Sequence, residues 1–373
     1  MKRLLCLCFS VLLLVTGAAA AEPAAPEETA APPETMTLSE AISYAAAHHP
    51  QVLAAQAALE QSNVALEEAE HTYLVYQDEV AYGYEMFTIK KGLGFTQAQT
   101  GQVIAEKTLQ QTTESIKLGV KSAFYSYLSA QERAALLEES LKTTQTRVAQ
   151  NQTRFDNGLI TKMDLQSSIL SEQKAQADLE KARRGVDIAM MQLKNAIGIP
   201  VHSTLTVKGT LETPDMPQTT VEEAETLALQ NSMDIIRAGQ QKIADEKNFE
   251  VVGLWYTERT YRYQQAAAGA LSSAYAYDAA VENTRINVHK AYDTMKSAYD
   301  TYGLAQQTRD LKLQAYEISK TQYELGLATP VDVEDAWSEA QQAEMDCFDA
   351  QYAVIMGAEQ YVFSYTVGNV MGV

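Results

Sequence analysis

Arg154-Phe155-Asp156-Asn157-Gly158-Leu159-Ile160-Thr161-Lys162-Met163-Asp164-Leu165 and Tyr323-Glu324-Leu325-Gly326-Leu327-Ala328-Thr329-Pro330-Val331-Asp332-Val333 are two versions of one junction between helices. Gly158 and Gly326 can take the left-handed backbone that stops a helix, and Thr161 and Thr329 can cap the helix that follows. Pro330 suits the first position of that helix, where its missing N–H costs nothing. Asp164 and Asp332 then fall in the first turn, where the helix dipole favours a carboxylate. Capping and a functional role both stay open for these aspartates at this level.

Around the junctions the chain repeats itself. The two turns are 168 residues apart, as are Val120-Lys121-Ser122-Ala123-Phe124 and Val288-His289-Lys290-Ala291-Tyr292. Nearer the amino terminus, Glu40-Ala41-Ile42 through Val52-Leu53 aligns with Glu223-Ala224-Glu225 through Ile235-Ile236 at an offset of 183. The first copy therefore carries about fifteen extra residues between Val52 and Val120. Prolines avoid the stretches between Gln51 and Ile199, between Gln218 and Thr329, and after Val331. Since proline costs about 3 kcal/mol inside a helix, these spans are predicted to be long helices. Ile116, Val120, Ala123, Tyr127, Ala130, Ala134, Leu137 and Leu141 follow a heptad step, as do Val281, Val288, Tyr292, Met295, Tyr299 and Tyr302. Such seams face partner helices and are core. The predicted fold is all-α, with two tandem repeats of long antiparallel coiled-coil hairpins.

The beginning of the chain reads as an export signal over residues 1–21: Lys2 and Arg3, an apolar run from Leu4 to Val15, then small residues. Residues 22–36, rich in Ala, Pro and Glu, read as a disordered linker. Repeat one is placed at 37–200, a second linker at 201–219 and repeat two at 220–373. Cys6 and Cys8 leave with the signal, so an exported chain keeps only Cys347 and no internal disulfide. With 29 Lys+Arg against 48 Asp+Glu, the net charge of -19 argues against nucleic-acid binding. An enzyme is disfavoured as well, because long amphipathic helices supply no cleft and no motif sets a nucleophile beside a base. His48 and His49 are adjacent and diverge by about 100° on a helix, so they do not form a metal pair. No cofactor, metal or catalytic residue is expected.

Thr37-Leu38-Ser39-Glu40-Ala41-Ile42 leading into His49-Pro50, together with the two junctions in this order, resembles the TolC-type outer-membrane efflux proteins. The resemblance implies a homotrimer whose hairpins close into a hollow α-helical barrel. It also implies an exit duct for a tripartite efflux or type I secretion system, working with a periplasmic membrane-fusion adaptor and an inner-membrane pump. The tip turns, Gly158, Leu159, Thr161, Gly326, Leu327 and Thr329, would dock the adaptor. Asp164, Tyr323, Asp332 and Asp335 match the family's pore constriction, with Tyr323 bridging to Asp164; Ala328 stands where a basic partner is sometimes found. The location implied is the cell envelope, in contact with an outer membrane or facing the periplasm, and extracytoplasmic where no outer membrane exists.

The family inserts two β-strands per repeat between its arms, each needing about nine to eleven residues to cross lipid. Here Glu79 to Phe95, with Val80, Tyr82, Tyr84 and Met86 alternating, has room for one short strand, and Val251 to Gln264 is no longer. A reduced or absent β-barrel is the expectation, and a non-conducting coiled-coil scaffold of the envelope is the alternative function.

Overall fold

The computed structural model describes residues 35–368. The export signal and most of the first linker lie outside the described residues. The order is β1 (Thr35–Thr37), α1 (Leu38–His48), α2 (Pro50–Tyr76), α3 (Tyr84–Lys90), α4 (Leu93–Asp156), α5 (Lys162–Ile197), β2 (Thr206–Lys208), α6 (Val221–Asn231), α7 (Met233–Trp255), α8 (Tyr261–Glu324) and α9 (Pro330–Thr366). The chain is thus all-α apart from one short parallel pair, and α2–α4–α5 is repeated as α7–α8–α9.

The offsets found in the sequence are carried by whole elements. α4 and α8 are both 64 residues long and begin 168 apart, so each extends about 96 Å at 1.5 Å per residue. α2 has 27 residues and α7 has 23, beginning 183 apart. The fifteen extra residues of the first copy are therefore four in α2 and eleven in the connector that contains α3, which occupies 77–92 against 256–260 in the second copy.

Each repeat opens on a capping box. Thr37 caps α1 with Glu40 reaching back, and Thr220 caps α6 with Glu223. These short helices lay alanines flat against the arms: Ala41 and Ala45 join Val120, Phe124 and Leu193, while Ala224 and Ala228 join Val288, Met295 and Tyr361. The pairs 41 and 224, 120 and 288, and 193 and 361 are repeat equivalents, so the duplication extends to the core. The heptad seams are buried or half-buried along their length, and Ile116 to Ala130 and Val288 to Tyr299 join these clusters. Gly357 lets α9 approach α8 closely, because a Cβ there would stand 3.2 Å from the Met295 Cα. His49, pushed toward neutrality by burial, caps α2 by accepting from the Gln51 N–H at Nδ1, 3.2 Å away.

Two expectations are corrected. The alternating residues from Val80 to Met86 do not form a strand. Tyr84 onward is helix α3, because its rings pack on Trp255 and Tyr256 of the other repeat. The first linker also ends earlier than read: Thr35 and Met36 belong to β1, which pairs in parallel with β2, Met36 opposite Val207, and Met36 is fully buried. Among the described residues β1 and β2 are the only strands, so both hairpin ends close through helix and turn.

Candidate functional site: the hairpin tips

Both tips are built the same way. Gly158 and Gly326 sit at φ of +70° and +76°. At each, the next N–H turns back on the helix just ended: Leu159 N donates to the Arg154 carbonyl at 2.9 Å and Leu327 N to the Gln322 carbonyl at 2.8 Å. A Cβ on either glycine would meet nothing within 4 Å, so backbone conformation, and not space, demands glycine.

The following helices start on capping boxes. The Asp164 carboxylate accepts from the Thr161 N–H at 2.9 Å and its hydroxyl at 2.8 Å, and the Asp332 carboxylate accepts from Thr329 at 2.7 Å and 2.7 Å. The backbone hydrogen bond first, and the hydroxyl second, hold both carboxyls below their usual range. Capping is therefore a role these aspartates have. Asp335 lies one turn further along α9, exposed, so Asp332 and Asp335 share a helix face.

The tip surface is apolar. Leu159 is 72% exposed and Leu327 76%, and Met163, Leu325 and Val331 stand exposed around them. The last three escaped the sequence reading, although each flanks a turn glycine or capping threonine within five residues.

Tyr323 is placed differently from expectation. Its hydroxyl donates to Asn151 Oδ1 at 3.0 Å and not to Asp164, whose Oδ2 is committed to Thr161. The Arg154 guanidinium stacks 4.1 Å over the Tyr323 ring. Arg154 belongs to the first repeat and Tyr323 to the second, so the contact joins the two repeats. Burial pushes the Tyr323 hydroxyl pKa up, against a smaller pull from Arg154.

One turn before Asn151 on α4, Arg147 pairs with Glu334 at 3.7 Å, both largely buried, and lies 5.8 Å over the Trp337 ring. Burial raises the Glu334 pKa despite Arg147. Trp337 in turn packs on Tyr316 at 4.7 Å. These groups tie α4 of one repeat to α8 and α9 of the other beside a cavity of about 570 Å³. Nothing local in the sequence marks Asn151 or Arg147, since their partners lie over 170 residues away. Cys347 is buried, and burial raises its thiol pKa, so it is not an activated nucleophile.

A model of the outer membrane efflux protein family matches residues 94–199 and 256–359, the α4–α5 and α8–α9 hairpins. The chain belongs to this family. No curated protein sequence matches it. Solved structures similar to it include the outer membrane protein VceC of Vibrio cholerae, at 13% identity and a TM-score of 0.76, covering 89% of this chain and 96% of that one. A membrane protein of Pseudomonas aeruginosa matches at 15% identity and a TM-score of 0.72, covering 89% and 90%. The CmeC outer membrane channel of Campylobacter jejuni matches at 13% and 0.72, covering 88% and 85%. At these identities the likeness establishes the fold. The family is one of efflux ducts and not a class of enzymes, and its members are outer membrane proteins.

Proposed function

We propose that the protein is the exit duct of a tripartite efflux or type I secretion system. Three copies close their hairpins into a tube, and the tips dock a membrane-fusion adaptor coupled to an inner-membrane pump. The observation that carries this reading is the pair of matching tips: two left-handed glycine turns on equally long helices, each presenting an exposed leucine. The leucines, with exposed Met163, Leu325 and Val331 around them, make an apolar tip surface of the kind that marks a protein–protein contact.

Asp332 and Asp335 form the constriction in this reading. Three copies bring six carboxylates together, which favours cations and repels anions. The Thr329 backbone N–H and hydroxyl hold the Asp332 carboxyl below its usual range. Single-channel recording of the purified protein tests this. Cation preference should fall in D332N/D335N, where the amides retain the helix start, and unchanged selectivity removes the two aspartates from the pore. A second reading, the non-conducting envelope scaffold, is favoured by the closure of both hairpin ends through helix and turn. Absence of any conductance together with retained adaptor binding would select it.

A further inference from the structure

The two tips match in backbone and capping but differ in what an oxidant can reach. Met163 is the second residue of α5, just past the Thr161 cap, and is 79% exposed. Its repeat equivalent, 168 residues on, is Val331, whose side chain holds no sulfur. Of the methionines among the described residues, only Met163 and Met191 are exposed. Met191 stands 28 residues further along α5, about 42 Å from the tip. Met36, Met233, Met295 and Met356 are buried, and so is the thiol of Cys347. The most exposed sulfur among the described residues therefore lies within the apolar tip surface that carries Leu159 and Leu327.

Exposed thioethers are the ones an oxidant in solution reaches. Hydrogen peroxide transfers one oxygen atom to the sulfur: the O–O bond breaks, an S–O bond forms, the sulfur is oxidised by two electrons and the peroxide leaves as water. The product replaces a flexible apolar side chain with a polar, chiral one. Covering the sulfoxide oxygen with an apolar partner surface is unfavourable unless a donor meets it. A sulfoxide reductase supplied with a dithiol reverses the step, the oxygen leaving as water and the dithiol becoming a disulfide.

We propose that Met163 is an oxidation-sensitive docking residue, whose conversion to the sulfoxide by peroxide weakens binding of the adaptor to the tips. The proposal rests on docking through the tips and adds to it a chemical control. It acts on the unassembled protein, because a docked partner covers the sulfur. Since Val331 stands at the matching place, the control sits in the first repeat's tip alone.

The test uses the exported full-length chain with a photoreactive residue at position 327, away from Met163, and membranes of the native cell. The chain is treated with hydrogen peroxide, the peroxide is removed, and peptide mass spectrometry reads oxidation at each methionine. Met163 and Met191 should gain oxygen before the four buried methionines, with helical circular dichroism unchanged. Capture of a membrane-fusion adaptor should then fall on the order of tenfold, as expected for one apolar contact made polar. Treatment with both sulfoxide reductases and a dithiol should restore it. In M163L, close in volume to the parent, peroxide should change capture less than about twofold relative to the same variant untreated. M191L should stay as sensitive as the parent, and M163Q should capture poorly before any peroxide. Undiminished capture by a chain whose Met163 is oxidised overturns the proposal, as does a loss that persists in M163L. No capture before peroxide overturns docking through the tips, and this proposal with it.

Discussion

Replacing Tyr323 by Phe removes one hydroxyl from the contact between the repeats and leaves the ring under Arg154. The hydroxyl donates to Asn151 Oδ1 at 3.0 Å, and Asn151 is only 5% exposed, so water does not readily replace it. An acceptor stranded in this way costs about 1–2 kcal/mol, more than the net value of an exposed hydrogen bond. Y323F should lose that much stability in urea titrations followed by circular dichroism. Hydrogen exchange should accelerate at amides 148–156 and 320–326, next to the lost contact, before it does in the core. Converting both partners, in Y323F/N151L, removes donor and acceptor together and should be more stable than the sum of the single changes by on the order of 1 kcal/mol. The reasoning fails if Y323F matches the parent within about 0.3 kcal/mol. It fails equally if Tyr323 couples to Asp164, in a cycle with D164A, and not to Asn151. That result would restore the bridge expected from sequence.

Two further outcomes follow from geometry. G158A and G326A force a Cβ into left-handed backbone and should each cost about 1–2 kcal/mol in thermal unfolding, with Asn substitutions costing less because the short polar Asn side chain hydrogen-bonds locally in that region. Tyr361, fully buried and donating to the Thr219 carbonyl at 3.0 Å, has its pKa pushed up to about 12 by burial first and neighbouring Tyr365 second. The folded state holds that proton longer than the unfolded chain. Its contribution is therefore whole below pH 10 and is lost as pH rises toward 12, a decline that alkaline denaturation should show and Y361F should remove.

The repeat was the most legible feature. Residue spacing around Gly158 and Gly326 determined an offset that the two 64-residue helices keep to the residue, and capping followed from Thr-x-x-Asp at each turn. What sequence spacing could not show was anything decided by contacts distant in the chain. The alternation from Val80 to Met86 fits a strand or a short amphipathic helix equally, and Trp255, about 170 residues away, selects the helix. Met36 looked like the end of a linker because its partner strand is equally remote. Tyr323 was correctly placed near the tip, but whether Asp164 was free to receive it depended on a competition that Thr161 wins at close range.

Photo-cross-linking from positions 159 and 327 in the native cell tests the central claim most directly, because those leucines are the exposed apexes of the two tips. Photoreactive residues there should capture a membrane-fusion adaptor, and an arginine at the opposite tip leucine should abolish capture while the protein stays folded. Capture of other copies of this chain alone, or no capture at either position, would contradict docking through the tips.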